Sequence, residues 1–164
     1  MDYLKILHED SNLAADFDAL FDFFLLDEPT ERDEIEEKCT FSMEGVAFAR
    51  DGAGGEYHQL EDGSIGYMSS EGEYGRIAES IDDLIYLLVY SICWHDYCDS
   101  SQYTDVGILE SYAKERYAQI TSYTDMDKWE YVVKVLGMPS EANLAAVLQK
   151  FYDAVHREPV YQGF

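Results

Sequence analysis

The sequence predicts an α+β fold in which an N-terminal helix and several C-terminal helices pack around a small antiparallel sheet. Apolar residues recur at helical spacing before residue 45 and after residue 80. Between them lie short apolar runs separated by Gly-rich turns, which are typical of about four antiparallel strands over residues 45–79. A chain of 164 residues is long enough to bury one core, so we expect a single domain spanning residues 1–164.

The N-terminal helix is predicted from apolar residues that repeat every three or four positions. They are Leu13, Phe17, Leu20, Phe21, Phe24 and Leu25. We expect this helix to end before Pro29, because the residue that precedes a proline avoids helical angles. The acidic stretch 28–39 that follows is compatible with either a loop or a short exposed helix.

The strands are predicted from a change of period at Gly45. "GVAFA" is typical of a buried strand, residues 51–55 of a turn, and residues 75–78 of a last short strand. Asp62-Gly63 indicates a hairpin with a two-residue loop. That loop sets the register, pairing Leu60 with Ile65, His58 with Tyr67 and Tyr57 with Met68.

Four helices are predicted after the sheet. Ser80, with Asp83 following it, forms the N-cap of the first, which is apolar on nearly every face and is therefore central to the fold. The others are expected around residues 106–120, 125–136 and 141–155. Gly137 and then Pro139 end the third helix, and Ser140 is the predicted cap of the fourth.

The charge of the chain restricts its partners. Lys and Arg number 11 and Asp and Glu 34, so the net charge is −23. Such a protein repels the phosphates of nucleic acids and anionic membrane surfaces. Basic proteins are attracted to it, although acidity that merely keeps a protein soluble is an equally good interpretation of the charge alone.

No motif predicts catalysis, a cofactor or a metal. "GAGG" at residues 52–55 leads into a strand rather than a helix, which favours a turn over a phosphate-binding loop. Cys93, His95 and Cys98 lack the second ligand pair of a zinc site and are expected to be buried thiols at a helix end. No H-E-x-x-H or G-x-S-x-G is present. We therefore expect a protein that is not an enzyme and has no cofactor.

The first residues of the chain do not resemble a secretion signal, and no apolar run is long enough to cross a bilayer. With Cys39 the cysteine count is three, an odd number. These features predict a cytoplasmic protein with reduced thiols and no membrane association.

Carboxylates at the corners of the predicted sheet suggest a surface for a basic partner. "SSEGE" at residues 69–73 joins two strands and presents two of them among glycines and serines. An aromatic side chain would be the anchor of such a surface and the acids its steering charges. The predicted partner-binding residues are Glu56, Asp62, Glu71, Glu73 and Tyr74.

Residues 45–98 resemble the SUKH superfamily, which includes bacterial immunity proteins and yeast cell-wall assembly regulators. The resemblance lies in the order and spacing of short motifs. They are Phe48-Ala49-x-Asp51-Gly52, Leu60-x-Asp62-Gly63, Ser69-Ser70-Glu71-Gly72, and Gly75-Arg76-Ile77-Ala78 before the central helix.

The resemblance implies a protein that binds and neutralises a cognate toxin, in many cases a nuclease or nucleic-acid deaminase with a basic surface. A regulatory interaction module without a toxin partner is the alternative. A small enzyme acting on a cationic substrate is a third hypothesis, which requires a pocket holding two carboxylates with raised pKa values. Monomer and homodimer are both compatible with the sequence.

Overall fold

The computed structural model describes residues 1–31 and 43–164, and within these ranges it contains six α-helices and five β-strands. In chain order these are α1 (Tyr3–Glu9), α2 (Ser11–Phe21), β1 (Phe24–Glu31), β2 (Gly45–Arg50), β3 (Glu56–Leu60), β4 (Ile65–Met68), β5 (Tyr74–Ala78), α3 (Ile81–Ser91), α4 (Val106–Thr121), α5 (Met126–Val135) and α6 (Leu144–Val155). Two short 3₁₀ turns, Trp94–Tyr97 and Ser100–Tyr103, connect α3 to α4.

The five strands form one antiparallel sheet in the order β1-β2-β3-β4-β5. One face contributes Tyr57, Tyr67 and Ile77 to a core shared with the helices. The opposite face carries a smaller apolar cluster that contains Leu60 and Met68. The predicted α+β class is confirmed, with five strands instead of four.

The extra strand comes from the region predicted as one N-terminal helix. Helix α2 ends at Phe21, and Asp22 takes a left-handed conformation with φ of 50°. Phe24 and Leu25, predicted as helical, instead begin β1 and pair with Arg50 and Ala49. A spacing of three or four residues fits a helix that continues, so only the reversal at Asp22 distinguishes the two outcomes.

Helix α1 was not predicted, although the side chain of Asp2 accepts a hydrogen bond at its start and Tyr3 and Leu7 are buried. The stretch predicted as a loop or short helix begins inside β1, where Pro29 lies on an edge strand that tolerates proline. The rest of that stretch, including Cys39, lies outside the described residues.

The predicted register of the β3–β4 hairpin is wrong by one residue. Its loop comprises Glu61, Asp62 and Gly63, because the backbone N–H of Leu60 bonds to the carbonyl of Ser64 at 2.9 Å and Gly63 has φ of 84°. Tyr57 therefore lies opposite Tyr67, and His58 opposite Gly66. This shift gathers the two tyrosine rings on the helix side, with centroids 5.0 Å apart.

The predicted helices after the sheet are present. Ser80 caps α3 by accepting from the backbone N–H of Asp83 at 3.1 Å. Gly137 follows α5 with φ of 64°, as its role in ending a helix requires. The cap of α6 is Asn143 and not Ser140, so this helix begins at Leu144.

The C-terminal segment covers the β5 edge of the sheet. The backbone N–H of Arg76 donates to the carbonyl of Pro159 at 2.7 Å. Gly75 allows this approach, because a Cβ there would lie 2.1 Å from the Cα of Tyr161. Helices in the described part of the chain are all too short or too polar to cross a bilayer.

Candidate functional site

The structure separates the predicted partner-binding residues between the two ends of the sheet. Because consecutive turns of an antiparallel sheet alternate between its ends, the β3–β4 loop with Asp62 lies opposite the β4–β5 turn with Glu71 and Glu73. The β2–β3 and β4–β5 turns share one end, where a Cβ on Gly54 would lie 3.8 Å from Cβ of Ser70. These five residues therefore do not form one surface.

Asp62 belongs to a structural network that we call the paired cluster, formed by Asp62, Ser64 and Arg76. The Arg76 side chain, 1% exposed, donates to Asp62 Oδ2 at 2.8 Å and to Ser64 Oγ, and its Nη2 donates to the carbonyl of Glu158 at 2.5 Å. Burial opposes ionisation of Asp62, but hydrogen bonds from Ser64 and the charge of Arg76 outweigh it and lower the Asp62 pKa to about 2. This carboxylate is already neutralised within the chain.

Glu56 and Tyr74 are buried, so they do not form the accessible surface that the sequence predicted. Their exposed fractions are 4% and 7%. Glu56 lies 2.7 Å from Arg50 and 3.1 Å from His58, both in ion-pair geometry. The cause is the register of β3 and β5, since both residues occupy one transverse row of the sheet, with Met68 between them.

Glu71 and Glu73 are exposed, as predicted, on a well-defined turn. The Ser69 hydroxyl accepts from the backbone N–H groups of Glu71 at 3.3 Å and Glu73 at 3.1 Å. The turn closes through a bond of 2.8 Å from the Ser69 N–H to the Glu73 carbonyl, and Gly72 has φ of 90°. Backbone bonds therefore hold these two carboxylates at one end of the sheet.

A cavity of about 780 Å³ opens next to this end of the sheet, and we call it the α2–α5 cavity. Its walls are the C-terminal half of α2, the β2–β3 turn, the end of α3 and the segment that enters α5. Asp18, Asp22, Asp51, Trp94, His95 and Tyr123 are among the residues that line it.

Asp51 is fixed in the cavity wall by three hydrogen bonds. Its Oδ1 accepts from the backbone N–H groups of Ala53 at 3.0 Å and Gly55 at 2.7 Å, and its Oδ2 accepts from the Tyr67 hydroxyl at 2.6 Å. A side chain at position 55 would collide with this network, because its Cβ would lie 2.5 Å from Asp51 Oδ2. The predicted "GAGG" turn is confirmed, and it orients a buried carboxylate.

Asp22 and Asp18 extend the negative wall. Asp22 Oδ1 accepts from the backbone N–H of Gly52 at 2.8 Å, which connects the end of α2 to the β2–β3 turn. Burial of Asp18, together with the nearby charge of Asp22, raises the pKa of Asp18 above its ordinary value. The hypothesis of an enzyme with a cationic substrate requires carboxyls with raised pKa values in a pocket. Asp18 is one such carboxyl.

Within residues 1–31 and 43–164, no ion pair neutralises this set of acids. Lys128, the cation in the cavity lining, lies 3.0 Å from Asp16. We call the unpaired carboxylates the acidic end: they are Asp18, Asp22, Asp51, Glu71 and Glu73. Their charge is not offset by a side chain of the described part of the protein.

Aromatic rings line the cavity, with Tyr57 and Trp94 buried in its wall and His95 exposed at its surface. The Trp94 indole N–H donates to the Tyr57 hydroxyl at 3.2 Å, and the His95 ring stacks on Trp94 with centroids 3.6 Å apart. Desolvation lowers the pKa of His95, against the opposing charges of Asp51 and Asp22. At neutral pH His95 is therefore an uncharged ring and not a counter-ion for the acids.

Ile92 connects α3 to this wall in a conformation that is costly for a β-branched residue. Its φ of 63° and ψ of −49°, with a bond of 2.7 Å from the Cys93 N–H to the Ser91 carbonyl, define a γ-turn. Cys93 is half-buried, and desolvation raises the pKa of its thiol. Such strain is concentrated at functional sites.

Metal and thiol chemistry receive no support from the described ranges. In them, no three His, Cys, Asp or Glu side chains converge in a way that would hold a metal ion. Cys93 and Cys98 are free and half-buried, and burial raises the pKa of Cys98 to about 12. Both thiols are thus protonated at neutral pH.

Comparison with known protein families, with curated proteins and with solved structures gives no match for this chain.

Sequence reasoning missed Asp18, Asp22 and the aromatic floor. The predicted N-terminal helix continued through Asp22, so the prediction contained no turn at Asp22 and no cavity beside the end of α2. Asp51 was assigned only to a turn. A turn-forming Asp after an apolar helix, followed at Phe23 by a second apolar run, is the signal that could have suggested a helix end.

Proposed function

We propose that this protein binds a basic protein partner through its acidic end and thereby neutralises it, as an immunity protein does with a toxin. The observation that carries the proposal is the group of carboxylates at the acidic end, which no described side chain pairs, on a chain with a net charge of −23. The resemblance of residues 45–98 to the SUKH superfamily supports a toxin domain as this partner.

Electrostatic attraction fits this role because it acts before contact. Complementary charge raises association rates by roughly tenfold to a thousandfold, and salt screens it over about 10 Å. An inhibitor that presents carboxylates where a nuclease or deaminase binds phosphates would also block the substrate site directly. No catalytic step by this chain is needed for such inhibition.

Tyr123 is a better anchor for the partner than Tyr74. It is 71% exposed and lines the mouth of the α2–α5 cavity. Aromatic side chains contribute most at the centres of interfaces, with acidic rims around them. We therefore assign the contact to Tyr123 with the acidic end around it.

The test is binding to a basic nuclease or deaminase domain encoded beside this protein, with association rates measured at low and high salt. The association rate should fall steeply as salt increases, since steering is screened. A rate indifferent to salt, or no complex at all, contradicts the proposal. A gene that stands alone, with no toxin gene beside it, would favour the regulatory alternative.

Matched variants locate the interface. The double variant Glu71→Gln/Glu73→Gln should slow association, whereas Glu110→Gln/Glu115→Gln, two exposed acids of α4, should change it much less.

Tyr123→Ala should weaken the complex by about 2 kcal/mol, a typical value for an aromatic hot spot. Tyr131→Ala, at 46% exposure on α5, is its control. If each variant and its control lost the same amount of association rate or binding free energy, the interface would lie elsewhere on the protein.

A further inference from the structure

We propose that the α2–α5 cavity binds a small organic cation, in which a protonated amidine, guanidine or amine is carried on an apolar body. This inference depends on the cavity and not on the proposed partner. Three properties of the cavity support it: its size, its uncompensated negative charge and its aromatic floor.

The size favours a free small molecule over an inserted side chain. The cavity measures about 780 Å³, within the range of about 300–1,000 Å³ that ligand pockets occupy. Its lining is formed by separate parts of the chain that enclose it from several sides, including α2, the β2–β3 turn and the start of α5. A single guanidinium from a protein partner would leave most of this volume unfilled.

The negative charge of the cavity favours a cationic ligand, and its three carboxylates contribute to binding in different ways. Asp51 already uses both oxygens for bonds from Ala53, Gly55 and Tyr67, so it contributes negative potential from a fixed position. Asp22 uses Oδ1 for Gly52 and leaves Oδ2 for a ligand. Asp18 is close enough to Asp22 for their charges to interact. A cation between them would relieve the repulsion between Asp18 and Asp22.

The aromatic floor specifies an organic cation in preference to a bare metal ion. The buried rings of Trp94 and Tyr57 and the exposed ring of His95 line the cavity, and aromatic faces attract cations. Ile92 and Ile120 add apolar lining. A hydrated metal ion gains nothing from such surfaces, whereas an apolar body bearing a charged group satisfies both parts of the lining.

The probe pair is benzamidine and benzamide, which have the same shape but differ in charge. Binding is measured by calorimetry and by the fluorescence of Trp94 in the background Trp129→Phe, since the chain has 2 Trp and Trp129 lies outside the cavity lining. Benzamidine should bind at least about tenfold more tightly than benzamide, the loss expected when a charge-assisted bond is removed. Equal affinities, or no binding of benzamidine, overturn the proposal.

Two variants with a matched control separate the cavity from the general negative charge. Asp22→Asn keeps an acceptor for Gly52 and suits a left-handed conformation, and it should weaken benzamidine binding by about tenfold. Asp18→Asn should weaken it similarly. Asp127→Asn removes an equal charge from an exposed site on α5 outside the lining and should change affinity less than about twofold. Equal losses in all three variants overturn the proposal.

A capped tripeptide with a central arginine tests whether the cavity prefers a free small molecule or the side chain of a protein partner. The peptide should bind at least about fivefold more weakly than benzamidine, because ordering its flexible backbone and side chain on binding has an entropy cost that the rigid benzamidine does not have. A peptide that bound more tightly would overturn the assignment to a free small molecule. Toxin-partner binding is measured separately through Glu71 and Glu73, so failure of one proposal is distinguishable from failure of the other.

Discussion

The carboxylates at the two ends of the sheet differ in whether a cation neutralises them. At one end, the paired cluster encloses Asp62 with Arg76 and two bonds from Ser64. At the other, Asp22 and Asp51 are held by backbone N–H groups and a tyrosine hydroxyl, and neither forms an ion pair within the described chain, where Lys128 of the cavity lining pairs with Asp16 instead. Hydrogen bonds that leave the net charge in place orient a carboxylate without neutralising it. Charge is thus cancelled in the paired cluster, which supports the fold, and retained at the acidic end, where we propose that a ligand and a partner bind.

The largest expected effect comes from breaking the paired cluster. Arg76→Met should lower the free energy of unfolding by about 3 kcal/mol, because it removes the cation that pairs with Asp62 and leaves the Glu158 carbonyl without its side-chain donors. Urea denaturation measures it. The control Arg157→Met removes an arginine that is 57% exposed and paired with Glu79, and should cost less than about 1 kcal/mol. Equal costs would mean that Arg76 is no more structural than a surface cation.

Loss of a buried hydrogen bond at the acidic end should cost more stability than loss of a more exposed hydrogen bond elsewhere. Tyr67→Phe removes the buried donor to Asp51 and should cost about 2 kcal/mol, since a charged acceptor loses a partner. Tyr112→Phe removes a more exposed bond of 2.8 Å to the Asp96 carbonyl and should cost about 0.5 kcal/mol. Thermal or urea unfolding of both variants compares them. A cost for Tyr67→Phe no larger than the control contradicts the structural role of this bond.

The pKa of a carboxyl should be shifted in opposite directions at the two ends of the sheet. At the paired cluster the shift should be downward. Asp62 should titrate at about 2 in the folded protein. Since this pKa is depressed, the stabilisation from Asp62 is fully present above the ordinary pKa of about 3.9 and is lost as the pH falls through about 2. NMR titration of the carboxyl carbon measures it. Ser64→Ala should move the Asp62 pKa upward, and an unchanged value would contradict the assigned cause.

At Asp18 we expect the pKa shift to be upward, opposite to that of Asp62, with a smaller effect on stability. Its pKa is raised, so its contribution to stability is fully present below the ordinary value and is lost as the pH rises through the folded pKa. Asp22→Asn should lower the pKa of Asp18, because it removes a neighbouring charge, while Asp127→Asn should leave it nearly unchanged. NMR titration checks both variants. Equal shifts would indicate a general field instead of a local pair.

Much of the fold followed from local patterns. The sequence predicted β2 to β5 in order, the Ser80 cap and the end of α5 at Gly137, because each depends on residues close together in the chain. It missed β1 and the hairpin register. Both depend on single turns, at Asp22 and at Gly63, whose conformations are selected by packing against distant strands.

The candidate site was less predictable than the fold. The exposure of Glu71 and Glu73 was predicted correctly because they lie on one short turn whose exposure is a local property, and their role in binding a partner stays a prediction. Glu56 and Tyr74 were misjudged because their burial depends on neighbouring strands. The cavity combines Asp22, Asp51 and Trp94, which are far apart in sequence, so no spacing rule connects them.

By itself, the sequence determined the negative charge, the order of β2 to β5 and of α3 to α6, and local features such as the Ser80 cap and the Gly137 helix end, since composition and short-range sterics act without reference to distant residues. Only the tertiary structure decided which carboxylates are neutralised. An ion pair needs two side chains within a few ångströms of each other, and Arg76 reaches Asp62 and the Glu158 carbonyl only because β4, β5 and the C-terminal segment lie side by side.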